Sequence, residues 1–400
     1  MPPTAPPSAR AESAASCALA LYELWFIIAA HSGVVGAWRL AGVCRAARQG
    51  AKEWLRTLLG LVVCGGFTRR GEGYIREVWR LKLGELRWER QPVLTTGRAA
   101  HACCTVRKSI VVLGGLAVEQ AGRGINAYVH NLGFGVSEAG VETLGFSLSE
   151  AGKNIFKMTP PLSCGPVHSH AAVMIDESKS AQGQVLLIGG FDDEHESSAR
   201  VQKVDLATGV CTAQPALLCP QGHVIYDCMA GRLPDGRVVC VGTTRREYDT
   251  SDGESSQQDE EGKYHTMAQV LEPPPHGSPS EASWRWRASP GTSVLRGNGG
   301  GGCVLSDGRF AVFGGIDAND TTSSSCEALT LDADGERWDV LPPMHEPRRR
   351  FACAAVGGCV IVAGGVGSKT AEVYEEELGR WRRLPCSLPH EIGWMGSTLM

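Results

Sequence analysis

Short apolar runs that each end in a pair of glycines recur along this 400-residue chain, and no other feature limits its fold so tightly. The pairs are Gly65-Gly66, Gly114-Gly115, Gly189-Gly190, Gly314-Gly315 and Gly364-Gly365, with a degenerate version at Val241-Gly242. Their first positions lie 49, 75, 52, 73 and 50 residues apart. A second landmark recurs independently: an aromatic residue followed four positions later by proline, at Trp88, Phe156, Trp286, Trp338 and Trp381. In the third repeat Cys211 takes the aromatic slot and Pro215 keeps the proline. From this slot to the next glycine pair the distance stays between 26 and 33 residues, so the variation falls after the pair, where repeats two and four carry insertions of about 20 residues.

Each apolar run is short and bounded by turn signals such as Pro234-Asp235-Gly236, Ser306-Asp307-Gly308 and Gly357-Gly358, the pattern of a strand buried on both faces. A unit reads as two strands joined by a tight turn, the glycine pair, a weaker strand such as Val201 to Asp205 or Ala371 to Tyr374, and the aromatic strand. Four strands per unit and six units predict an all-β fold, a six-bladed β-propeller. Glycines permit positive φ where strands leave the crowded centre, and Trp88, Trp286, Trp338 and Trp381 supply apolar area between blades. The chain stops where the first strand of a further unit would end, and Gly60 to Cys64 has no first strand ahead of it. Residues 394–400 are therefore expected to pair with 61–64, making 60–400 one closed domain.

Composition narrows the class. A net charge of −4 gives no electrostatic footprint for nucleic acid or an anionic membrane, and Arg348-Arg349-Arg350 is too short to supply one. The apolar stretch from Ala18 to Ala37 contains Glu23 and His31, which speaks against a signal peptide or membrane span. Fifteen cysteines without a CxxC spacing, several inside apolar runs (Cys64, Cys240, Cys353, Cys359), read as small buried hydrophobes in a reducing compartment, cytoplasm or nucleus. His168 and His170 lack Cys, Asp or Glu neighbours for a metal, and the glycine run 297–302 with Asn298 enters a strand without the Lys-Ser/Thr of a phosphate loop. No metal or cofactor is expected. The acidic stretch Tyr248 to Lys263 reads as a solvated loop, and Pro273-Pro274-Pro275 with Pro279 as its continuation.

Glycine pair, downstream tryptophan and the register Trp88, Pro92, Arg98, His101 repeated as Trp338, Pro342, Arg348, Phe351 resemble the kelch repeat family over residues 60–400. The resemblance implies a kelch-type propeller in which Arg98, His101 and Arg348 are structural, and a protein that is not an enzyme. A copper oxidase on a related propeller would need converging Tyr, His and Cys ligands, which the sequence does not present.

Residues 18–59, after a disordered tail over 1–17, lack alternation and read as helical. They resemble an F-box. Leu21, Glu23, Leu24, Trp25 and Ile28 match its first helix, and Leu40, Val43, Cys44 and Arg45 fall where a second helix would place them; Tyr22 stands where proline is usual and Ala47 where tryptophan commonly follows. This implies a substrate-recognition adaptor of a cullin-type ubiquitin ligase. The eight residues from Leu21 to Cys44 would dock on the adaptor subunit of the cullin complex, and the loops Leu116 to Lys157 and Thr243 to Ser283 would hold an unidentified target protein. The alternative is an interaction scaffold with no ligase attachment, its helices a cap on the propeller.

Overall fold

The computed structural model describes residues 21–68, 73–107, 109–117, 136–137, 141–144, 156–159, 161–165, 167–176, 183–191, 199–246, 264–273, 284–296, 299–332 and 335–400. The tail over 1–17, the acidic stretch 248–263, most of both long loops, Pro279 and Asn298 lie outside them.

Two helices come first, α1 (Tyr22–Leu40) and α2 (Arg45–Thr57). The break expected near Ser32-Gly33 is a kink: Gly33 has φ 66° and ψ −179°, outside helical space. The second helix begins later than the sequence pattern placed it. Leu40 ends α1, Val43 lies in the turn between helices, and Cys44 is the N-cap of α2, its sulfur accepting from Ala47 N at 3.3 Å. A short polarisable side chain at Cys44 starts the second helix after the turn at 41–43, which helix-face counting cannot show.

The other described residues form six four-stranded antiparallel sheets, with one short three-stranded and one two-stranded sheet beside them. In chain order they are β1 (Leu61–Cys64), β2 (Val78–Lys82) and β3 (Arg87–Arg90); β4 (Ala102–Val106), β5 (Ser109–Leu113), β6 (Val141–Leu144) and β7 (Phe156–Thr159); β8 (Ala171–Asp176), β9 (Gln184–Ile188), β10 (Val201–Asp205) and β11 (Cys211–Gln214). Then follow β12 (His223–Arg232), β13 (Val238–Arg246), β14 (His265–Glu272) and β15 (Arg285–Ser289); β16 (Gly301–Val304), β17 (Phe310–Phe313), β18 (Cys326–Asp332) and β19 (Gly335–Leu341); β20 (Ala352–Val356), β21 (Cys359–Ala363), β22 (Ala371–Glu375) and β23 (Arg380–Arg383). The last strand, β24 (Gly396–Leu399), completes the first sheet by pairing with β1 from Leu61↔Leu399 to Cys64↔Gly396. The innermost strands adjoin in the cyclic order β24, β4, β8, β12, β16, β20 and back to β24. The molecule is thus mostly a β-propeller with two N-terminal helices.

Of the second strands, β1, β17 and β21 are buried at every position, because sheets cover both of their faces. All ten residues of the five glycine pairs have positive φ, the first of each pair at 55–68° and the second at 96–113°. Space forbids side chains there too: a Cβ on Gly114 would lie 2.2 Å from the Val167 carbonyl oxygen.

Candidate functional site

Three of the four tryptophans singled out by the repeat do the same job. The indole N–H of Trp286 donates to Pro215 O at 2.8 Å, that of Trp338 to Pro290 O at 2.7 Å, and that of Trp381 to Pro342 O at 2.8 Å. The accepting proline is the one four residues after the aromatic slot of the preceding repeat, so both sequence landmarks meet at the seam between sheets. Trp88 differs. Its ring packs on the core cluster beneath the helices, while its indole N–H is buried without an acceptor among the described residues.

Arg98 and Arg348 are buried and structural in geometry. Arg98 donates to Gly114 O at 2.7 Å and Arg348 to Gly364 O at 2.9 Å, each reaching the first carbonyl of the following glycine pair. Arg296 does the same to Gly314 O at 3.0 Å, a member of this set that the sequence reading missed. Two of these arginines meet a carboxylate on the third strand of the sheet. Arg296 pairs with Glu327 at 2.7 Å and Arg348 with Glu372 at 2.9 Å, all four side chains being at most 1% exposed. The carboxylates also take backbone N–H bonds from the segment entering the sheet, Glu327 from Ser293 and Val294, Glu372 from His345 and Glu346. The glutamate at the second position of each of these third strands, Glu327 in CEALTLD and Glu372 in AEVYE, was the available signal.

At the end of the channel where chains enter the innermost strands, one residue per sheet is left-handed. Ala100, Ser169, Asp227, Arg350 and Trp394 have φ of 45–55°, and Gly299 has φ 93°. Backbone N–H bonds link them around the mouth: Ala100 N to Trp394 O, Ser169 N to Ala100 O, Arg350 N to Gly299 O and Trp394 N to Arg350 O. The Arg350 side chain runs over Gly299, whose Cβ would lie 2.6 Å from it, and pairs with Asp227 at 2.8 Å while its guanidinium faces the Trp394 ring at 5.4 Å. Strand direction puts the glycine pairs, and hence the points where both long insertions leave their sheets, at this same end.

His101 and His170 are buried against the glycine pairs, where a Cβ on Gly65 would lie 2.9 Å from His101 Cε1 and one on Gly114 3.1 Å from His170 Cε1. Burial, helped by Arg98 beside His101 and by His168 beside His170, lowers each imidazole to about 3, and the His170 ring nitrogens have no hydrogen-bond partner among the described residues. They stay neutral. His168 stacks on Phe191 with ring centroids 5.3 Å apart. Among the described residues no three His, Cys, Asp or Glu side chains converge on a point that could hold a metal ion, and no helix is long and apolar enough to cross a membrane.

The helices sit at the opposite end, on the hairpin turns of the first and sixth sheets. Val34 N donates to Gly357 O at 3.5 Å, Trp38 Nε1 to Leu83 O at 2.8 Å, and Arg39 pairs with Glu375 at 3.0 Å. Ala29, Val34, Val35, Ala37, Trp54 and Leu55 share one core cluster with residues of both sheets. The residues matched to the F-box divide accordingly. Leu21, Glu23, Val43 and Cys44 are exposed, while Leu24, Trp25, Ile28 and Leu40 are half-buried. Tyr22 and Ile27 add to the exposed apolar set.

The kelch motif matches residues 347–387, the segment that contains Arg348, the pair Gly364-Gly365 and Trp381. The F-box/kelch-repeat protein At1g16250 of Arabidopsis thaliana is 31% identical over 117 residues, covering 25% of this chain, and the chain spans 30% of that protein's length. The solved structure of YjhT superposes with a TM-score of 0.48 at 13% identity, covering 70% of this chain and 81% of that one. Glycine pairs, indole latches and buried arginines thus recur in register around a β-propeller, and one of its repeats, residues 347–387, is a kelch motif.

Proposed function

We propose that the chain is a substrate-recognition adaptor of a cullin-type ubiquitin ligase: a six-bladed kelch propeller over 60–400 that holds a target protein, carrying an F-box over 18–59 that docks on the adaptor subunit. It transfers nothing itself. Its contribution is proximity, the conversion of an encounter into a positioned reaction. One observation carries the reading: the helices occupy one end of the propeller and turn Leu21, Tyr22, Ile27 and Val43 to solvent, while the channel mouth and the points where the long insertions leave their sheets lie at the other end. Two partners can then be held without competing for surface. The curated relative's name, F-box/kelch-repeat protein, supports the same reading.

The helices' shared core with the first and sixth sheets favours a second reading, a scaffold whose helices are a cap. Co-purification with the adaptor subunit separates the two. The paired substitution Leu21→Asp with Val43→Asp abolishes association and leaves the propeller's melting temperature unchanged under the first reading. No association of the unmutated protein sinks it and leaves the cap.

A further inference from the structure

A cavity of about 300 Å³ lies where the end of α2 meets the outer half of the first sheet, and charged side chains make up half of its lining. Arg56 reaches it from α2, Arg80 and Lys82 from β2, Arg87 and Glu89 from β3, and Glu85 from the turn between these strands. Four cations thus face two carboxylates, a net charge of +2. The two-residue period of each strand puts Arg80 and Lys82 on one face of the sheet with Arg87 and Glu89, in the register Arg80↔Glu89 and Lys82↔Arg87. Gly60, just ahead of β1, leaves room beside them: a Cβ there would lie 2.2 Å from Leu81 O and 3.3 Å from Arg80 Nε.

Both carboxylates are already engaged. Glu85 accepts from Arg56 Nε and Nη2 at 3.3 and 3.1 Å. Glu89, although it stands opposite Arg80 across the ladder, takes Lys82 at 2.8 Å and Gln91 at 3.3 Å. The Arg80 side chain is left with no hydrogen bond or ion pair among the described residues, and its Nε–H is buried. Arginines on other outer strands are answered: Arg287 of β15 pairs with Glu272 at 3.0 Å, and Arg337 of β19 with Asp332 at 3.0 Å. Burial pushes the Arg80 guanidinium below its ordinary pKa, and the charge of Glu89 offsets this only in part. An anion brought beside Arg80 therefore supplies an attraction that the chain itself does not.

We propose that this cavity binds the phosphoryl group of a small phosphate monoester, held by Arg80 and Lys82 from the sheet and by Arg56 from α2. Near neutral pH a phosphate monoester carries a charge close to −2, which matches the lining, and three acceptor oxygens. Two of those oxygens suit the planar donor fork of Arg80 and leave the third for a second cation. A space of this volume fits a small molecule rather than the surface of a folded protein. Leu55 and Leu58, at the end of α2, give the carbon part of the ester an apolar wall. Held from both sides, the ligand ties the helices to the first sheet.

The test is isothermal titration calorimetry of the full chain with glycerol 3-phosphate, run beside inorganic phosphate, sodium chloride at matched ionic strength and a phosphoserine peptide. One saturable site for glycerol 3-phosphate is expected, with inorganic phosphate competing for it and amide hydrogen exchange slowed over residues 55–60 and 80–89. Arg80→Gln should weaken binding at least about tenfold, the loss of a charge-assisted hydrogen bond. Lys82→Gln should weaken it about threefold or more, because it removes a cation and frees Glu89 to turn to Arg80, and it decides the matter if the first variant does not fold. No saturable heat with glycerol 3-phosphate, unchanged binding by the folded variants, an equal response to chloride, exchange slowed only elsewhere, or binding of the phosphoserine peptide in place of the monoester overturns the proposal.

Discussion

The same side chain carries different weight at different seams. Trp338 and Trp381 each combine ring packing with a donated bond, whereas Trp88 packs its ring and leaves its N–H unanswered. A net hydrogen bond is worth about 1 kcal/mol, and an unmet buried donor costs about 1–3 kcal/mol. Trp381→Phe should therefore destabilise the protein by about 1–2 kcal/mol in denaturant unfolding, while Trp88→Phe should be neutral or slightly stabilising. The buried histidines give a pH signature. Unfolded, His101 and His170 titrate near 6.5; folded, each is lowered to about 3, so the unfolded chain binds protons first as the solution is acidified. Stability present above pH 6.5 is lost progressively as pH falls toward 3, at about 1.4 kcal/mol per pH unit per histidine within that window. His101→Phe, which installs the residue found at the equivalent Phe351, should lessen the fall in melting temperature between pH 6.5 and pH 5 relative to the unmutated protein. The carboxylates held low, Glu327 by hydrogen bonds from Ser293 and by Arg296, and Glu375 by Arg382, Arg380 and Arg39, add their own loss only below about pH 4.5.

At the scale of elements, the two helices cross where Gly50 of α2 meets the start of α1. A Cβ on Gly50 would lie 2.3 Å from Tyr22 O and 2.6 Å from Phe26 N. In an open helix, alanine for glycine gains about 1 kcal/mol from propensity. Here the obstacle is backbone and cannot rotate away, so overpacking wins and Gly50→Ala should cost about 1–3 kcal/mol. A blue shift of tryptophan emission lost in the variant, with Trp54 released from the core, is the readout. The glycine pairs, the hairpin turns and the latch residues were legible because each answers to a local rule: positive φ, a tight turn, or an aromatic at fixed spacing. The Arg–Glu pairs were half legible. Arg348 stood out by register, but its carboxylate sits on the third strand, and only folding brings Glu372 to Arg348 across 24 positions of chain. The turn at 41–43 escaped because helix-face counting continues through a corner that a capping thiol makes. Position along the chain also hid the left-handed residues at the mouth, which include Ala, Ser, Asp, Arg and Trp and share no residue type.

For the whole molecule, the first sheet is the one built from both ends of the propeller sequence, with β24 contributed by residues 396–399 and Met400 exchanging backbone bonds with Gly60 at 2.7 and 2.9 Å. Removing residues 396–400 strips β1 of its inner partner and the ring of one innermost strand. The melting temperature should fall by about 10 °C or more, and an unchanged value would show that β24 contributes little to holding the ring.

The mouth of the channel qualifies that picture. Backbone bonds run from Gly299 through Arg350, Trp394 and Ala100 to Ser169, and the ion pair from Arg350 to Asp227 spans the glycine between them. Between Ser169 and Asp227 neither kind of tie is present among the described residues. That step is held deeper in the seam instead, where the Trp286 indole donates to Pro215 O at 2.8 Å and the Gln269 side-chain amide exchanges bonds with the Leu218 backbone at 2.8 and 2.6 Å. The rim can therefore open between the third and fourth sheets without the sheets themselves coming apart.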